Sequence, residues 1–60
     1  MEDYSKFISV YANLPEKARK SVIVVIDKQP YSWNSVYAEI INNTALGKEM
    51  YSKLLKMEII

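Results

Sequence analysis

Apolar side chains recur at helical spacing near the amino-terminal end of the chain. Four of them follow the i, i+3, i+4, i+7 pattern of a helix with one apolar face: Tyr4, Phe7, Ile8 and Tyr11. This spacing predicts an amphipathic helix over residues 3–14. Asp3 is the predicted N-cap, because an aspartate side chain can accept hydrogen bonds from the free backbone N–H groups of the first turn.

The stretch from Pro30 to Ile60 predicts two further helices separated by a short break. The first runs from Trp33 to Asn43 and begins after Ser32, a favourable N-cap residue. The second runs from Lys48 to Met57. The break between them, residues 43–47, holds cap-forming residues and the only glycine of the chain. Two short helices joined in this way form a helix-turn-helix unit.

The segment from Pro15 to Asp27 is ambiguous between helix and strand. Its first half is rich in helix-forming residues, whereas Val22–Ile26 is β-branched at every position, as is typical of a strand. A strand needs a partner, and the only candidate is the short apolar end Ile59-Ile60. We therefore predict a helix over this segment, including residues 22–26.

These patterns predict an all-α fold, a small three- to four-helix bundle that contains a helix-turn-helix unit. Residues 1–60 form a single domain, with an N-terminal helix over residues 1–14 and the helix-turn-helix core over residues 15–60. A chain of this length buries only about 60% of its unfolded surface. Since it has no cysteine to form a disulfide, its apolar surplus predicts a homodimer. The candidate dimer contacts are Tyr4, Phe7, Tyr11, Ile23 and Val24.

Residues 18–60 resemble the tri-helical core of winged-helix and helix-turn-helix DNA-binding domains. The likeness is one of ordered pattern: a first helix at Ser21–Asp27, a loop with proline, a second helix, and the turn Thr44-Ala45-Leu46-Gly47. A recognition helix follows, and after it comes the aliphatic pair Ile59-Ile60. The resemblance implies a DNA-binding regulator whose last helix enters the major groove. The chain ends at Ile60, where a β-hairpin wing would begin, so recognition is expected without a wing.

Candidate DNA contacts lie on the predicted outer face of the last helix. Lysines there can neutralise phosphates, and a serine or glutamate can meet base edges. These candidates are Lys48, Glu49, Ser52, Lys53 and Lys56. A second basic group can either touch the DNA backbone or simply keep an apolar segment soluble: Lys17, Arg19 and Lys20. The net charge is only +1, so a solvated lysine face stays about as plausible as a DNA surface.

Catalysis has little chemical support in this sequence. The chain has neither histidine nor cysteine, the usual proton shuttles and nucleophiles, and one glycine cannot build a phosphate-cradling loop. We predict a non-enzyme with no cofactor and no metal site. The longest apolar run, Val22–Ile26, is too short to span a membrane, and no signal peptide is visible, so the expected location is cytoplasmic.

The sequence therefore supports two functions from different classes. The first is a small DNA-binding transcriptional regulator of helix-turn-helix type, which binds double-stranded DNA through residues 48–56. The alternative is a protein–protein interaction module, such as a small inhibitor or adaptor, which binds no nucleic acid and docks on a protein partner through its apolar faces.

Overall fold

The secondary structure mixes helices with a β-hairpin. The computed structural model describes residues 4–60, so the predicted N-cap Asp3 lies outside the described residues. Within that range the elements are α1 (Ser5–Ala12), α2 (Glu16–Arg19), β1 (Val22–Ile26), β2 (Gln29–Ser32), α3 (Trp33–Ile41) and α4 (Ala45–Lys56). The fold therefore mixes helices with an antiparallel sheet, and the prediction of an all-α bundle is wrong.

The error lies in residues 22–32, which form an antiparallel hairpin. Val24 of β1 lies opposite Tyr31 of β2, and Ile26 lies opposite Gln29. The β-branched run therefore follows its own propensity. Its partner escaped the sequence pattern because β2 contains Pro30, which cannot donate a ladder hydrogen bond and is tolerated only at the edge of a sheet. The helix that the family resemblance places at Ser21–Asp27 is replaced by this strand.

The hairpin turn is built from two residues that rarely form it. Asp27 and Lys28 have φ values of 52° and 68°. Positive φ at both central residues defines the type I′ turn, whose usual sequence is Asn-Gly or Asp-Gly. An Asp-Lys pair carries no such signal, and for Lys28 the left-handed conformation costs about 1–2 kcal/mol.

Replacing Lys28 with glycine is expected to stabilise the protein by about 0.5–1 kcal/mol, because glycine relieves the left-handed strain at some cost in chain entropy. Thermal unfolding followed by circular dichroism measures the change. Lys28→Ala is the matched control, since it removes the charge but keeps a Cβ atom at a positive φ. If the alanine variant gains as much stability as the glycine variant, the effect belongs to the charge and not to the turn.

Helix α3 begins as predicted and ends earlier. The Ser32 hydroxyl oxygen accepts a hydrogen bond from the backbone N–H of Ser35 at 3.2 Å, which confirms Ser32 as the N-cap. At the other end Asn43 adopts a φ of 53°, and its N–H donates to the carbonyl of Ile40. The next N–H, that of Thr44, donates to the carbonyl of Glu39. This Schellman arrangement stops the helix at Ile41 rather than Asn43.

Helix α4 begins three residues before the predicted start at Lys48. Thr44 is its N-cap, and the Thr44 hydroxyl oxygen accepts a hydrogen bond from the N–H of Gly47 at 2.9 Å. The same hydroxyl lies 2.7 Å from the Glu39 carboxylate, to which it donates. Gly47 therefore belongs to the first turn of α4 and not to the break, and the connection between α3 and α4 shortens to residues 42–44.

The core lies where α1, β1, α3 and α4 meet. Its buried side chains are Phe7, Val24, Ile26, Trp33, Val36, Ile40, Met50, Tyr51 and Leu54. Because four separate elements supply these side chains, the amino-terminal helix is part of the same core as the helix-turn-helix unit.

Aromatic pairs attach α1 to the rest of the chain. The ring of Phe7 lies 5.5 Å from that of Trp33, and Tyr11 stacks on Tyr37 at 4.3 Å. The ring of Tyr4 meets that of Tyr51 edge-on at 4.8 Å. The aromatic stripe predicted as a dimer contact therefore packs against rings of its own chain.

Val24 and Ile23 are the other two predicted dimer contacts. Phe7 is fully buried and Val24 is 3% exposed, so neither side chain is available to a second chain in this fold. Ile23 is half-buried beside an irregularity in the β1–β2 register. Of the predicted contacts, only Tyr4, Tyr11 and Ile23 keep part of their surface in solvent.

Candidate nucleic-acid interface

The helix-turn-helix unit consists of α3, the residues 42–44 and α4. Its two helices approach closely at Gly47, where a Cβ atom would lie only 2.7 Å from the Glu39 carbonyl oxygen. This contact and the Thr44 cap together fix how α4 leaves the turn. The buried side of α4 presents Met50, Tyr51 and Leu54 to the core, which turns the opposite side of the helix outward.

The outward side of α4 carries the predicted DNA contacts. All five are exposed: Lys48, Glu49, Ser52, Lys53 and Lys56. At about 100° per residue, Glu49, Ser52 and Lys56 lie almost opposite the buried stripe and form an outer ridge. Lys48 and Lys53 flank this ridge on its two sides. Four of the five residues also line an open groove of about 420 Å³.

Lys53 differs from the other two lysines because its ammonium group already has a partner. The Lys53 Nζ donates a hydrogen bond of 2.8 Å to the backbone carbonyl of Val25 in β1. This contact leaves two N–H donors on the ammonium, but it directs the side chain of Lys53 toward β1 and limits where a phosphate can meet it. Lys48 and Lys56 are therefore the stronger candidates for phosphate contacts.

The second basic group separates into two kinds of residue. Lys17 and Lys20 are exposed, as a backbone contact requires. Arg19 is instead engaged at the end of α1, where its guanidinium donates to the carbonyls of Tyr11 at 3.1 Å and Ala12 at 3.4 Å. It also lies 4.4 Å from the centre of the Tyr11 ring. Arg19 thus makes a structural contact with the last two carbonyls of α1.

A second surface was missed by sequence reasoning. Val22 and Val25 of β1 are 57% and 50% exposed, and Met57, just after α4, is 45% exposed. The three side chains line one groove between the strand and the helix. The prediction of a helix for residues 22–26 is the reason that this surface was missed. A strand edge presents unpaired backbone N–H and C=O groups, whereas a helix bonds them internally.

The chain matches no protein-family model, no curated protein and no solved structure in the three comparisons made. Among residues 4–60, no helix combines the length and the apolar character that a membrane crossing requires.

Proposed function

We propose that this protein is a small DNA-binding regulator of helix-turn-helix type, with α4 as its recognition helix. The observation that carries the proposal is the outer face of α4, where the exposed side chains of Lys48 and Lys56 lie on either side of Ser52 along the helix. The major groove of B-DNA is about 12 Å wide and admits one α-helix. A helix seated there meets base edges with its ridge and the two phosphate backbones with its flanks.

Each candidate residue has a distinct part in this proposal. Lys48 lies on a flank of the ridge, and Lys56 lies at the carboxyl-terminal end of the helix, where a recognition helix leaves the groove. Both lysines neutralise phosphates and so supply affinity that does not depend on base sequence. Ser52 and Glu49 face the base edges, where a hydroxyl can donate or accept and a carboxylate can accept from the amino group of cytosine. The short connection at residues 42–44 holds α3 across the backbone, as the first helix of the motif does.

Binding as a homodimer is part of the proposal. One copy of α4 offers two or three phosphate contacts, and few contacts give weak, salt-sensitive binding. Two copies double that number and read two half-sites about one helical turn apart. A cytoplasmic location is part of the same proposal.

Replacing Lys56 with alanine is expected to reduce the steepness of the salt dependence of DNA binding. Each lost phosphate contact changes the slope of log affinity against log salt by about 0.9 per protomer. Replacement of Lys48 has the same effect, whereas Lys53→Ala changes the slope less, because the hydrogen bond to the Val25 carbonyl directs its ammonium toward β1. Fluorescence anisotropy with a labelled duplex at several salt concentrations makes the measurement. Lys6→Ala, an exposed lysine on α1, is the control.

Two outcomes contradict the proposal. One is the absence of duplex binding at low salt, and the other is an equal loss of slope in the Lys6 and Lys56 variants, which would mean unspecific charge attraction. The interaction-module function would then take precedence. The exposed apolar side chains of Val22, Val25 and Met57 are the specific observation in its favour.

A further inference from the structure

Strand β1 has one edge that pairs with no other strand among the described residues. The sheet has two strands, so β1 meets β2 on one side only. On that side Val25 lies opposite Pro30, which has no N–H to donate. The Val25 carbonyl oxygen instead accepts a hydrogen bond from the Lys53 ammonium. This oxygen therefore points away from β2 and toward α4. A backbone acceptor therefore faces the free edge.

The free edge and α4 enclose an apolar groove of about 440 Å³. It is lined by Val22, Ile23, Val24, Val25, Lys53 and Met57. Five of these six residues are apolar, and the side chains of Val22 and Val25 are at least half exposed. Lys53 contributes the one charge of the lining. The groove thus combines a strand edge, apolar walls and a single cation.

We propose that this groove binds an extended peptide segment of a partner protein, and that the segment carries an aspartate or glutamate opposite Lys53. An extended peptide adds to a sheet edge through main-chain hydrogen bonds, while alternate side chains contact the walls. In the complex the peptide carboxylate forms an ion pair with the Lys53 ammonium. The Val25 carbonyl oxygen then accepts a hydrogen bond from a peptide N–H in place of the one from Lys53. One exchange of partners therefore satisfies both groups.

A second copy of this chain fits the groove less well than a peptide does. A standard interface buries about 800 Å² per partner, roughly a fifth of the 4180 Å² of this surface. The groove offers only a few half-exposed side chains and an edge that is irregular between Val22 and Val24. Pairing two β1 edges would also bring two Lys53 ammonium groups together, and β1 has no acidic residue to separate them. Area and charge both favour a short acidic segment.

The test compares two blocked, fluorescein-labelled peptides, Thr-Val-Asp-Val-Thr-Val and the same sequence with asparagine in place of aspartate. We expect the aspartate peptide to shift the backbone amide signals of residues 22–25 in nitrogen-15 NMR spectra. The asparagine peptide should bind about threefold more weakly, a factor within the range expected for an exposed charge pair. Lys53→Met should abolish this preference, while Lys53→Arg and the control Lys17→Met should keep it.

Three results overturn the proposal. The first is that the aspartate peptide leaves these amide signals unchanged at millimolar concentration. The second is that the ratio of the aspartate-peptide affinity to the asparagine-peptide affinity is the same for Lys53→Met as for the unchanged protein. The third is that the signals of residues 22–25 move with protein concentration in the absence of peptide, which would make a second copy the occupant. The spectra also show directly whether each variant is folded.

Discussion

Replacing Gly47 with valine is expected to lower the free energy of unfolding by about 3 kcal/mol or more, the upper range for overfilling a tight contact. A Cβ atom at this position would lie 2.7 Å from the Glu39 carbonyl oxygen, 2.9 Å from its carbonyl carbon and 3.2 Å from the Ile40 nitrogen. All three are backbone atoms of α3, so no side-chain rotation relieves the clash. The two helices must move apart, which opens the core beneath them.

Ser52→Val is the matched control, because it places the same side chain on the exposed face of the same helix. Valine is a weaker helix former than the best residues by only about 0.5 kcal/mol, so the control should remain close to the unchanged protein. Urea unfolding followed by circular dichroism compares the two. Equal stability of the Gly47 and Ser52 variants would show that α3 and α4 do not approach as closely as the structure describes.

Local signals made some of the fold predictable. Ser32 caps α3 because its own side chain reaches an N–H three residues away, and such short-range chemistry is readable in a sequence. The outer face of α4 was predictable for a similar reason, since a helical period places Glu49, Ser52 and Lys56 away from the buried stripe. Neither inference needed knowledge of a distant part of the chain.

The hairpin was not predictable in this way, because two of its three signals are weak. Val22–Ile26 has strong strand propensity, but the Asp27-Lys28 turn lacks the usual glycine and β2 contains Pro30. Because neither a turn nor a partner strand is visible in the sequence, the pattern favours a helix over the local strand preference of these residues. The structure shows that the propensity of β1 was the better guide.

Long-range contacts decided which candidate site residues are free. Lys53 meets Val25 across 28 positions of sequence, and no spacing rule links the two. Periodicity likewise identifies the apolar face of α1 without saying what covers it. The same stripe serves equally for a dimer contact or for attachment to α3, and only the fold distinguishes these uses.

That distinction can be tested at Phe7, which is fully buried beside Trp33. Phe7→Ala is expected to destabilise the protein by about 3–5 kcal/mol, the usual cost of removing a buried phenylalanine side chain. A loss of this size should lower the melting temperature of the variant by more than about 12 °C, since each kcal/mol shifts the melting temperature of a small domain by about 4–8 °C. The neighbouring Ile8 is 37% exposed, and Ile8→Ala should be much milder.

Protein concentration separates a core role for Phe7 from a dimer role. If Phe7 belongs to the core of one chain, the difference in melting temperature between Phe7→Ala and the unchanged protein stays constant over a hundredfold range of concentration. If Phe7 lies between two chains, added protein stabilises only the assembled form, and the unchanged protein gains melting temperature that the variant does not. Thermal unfolding by circular dichroism at the two ends of that range provides the measurement. A concentration-dependent difference would return Phe7 to a dimer interface and would contradict the burial of α1 against α3.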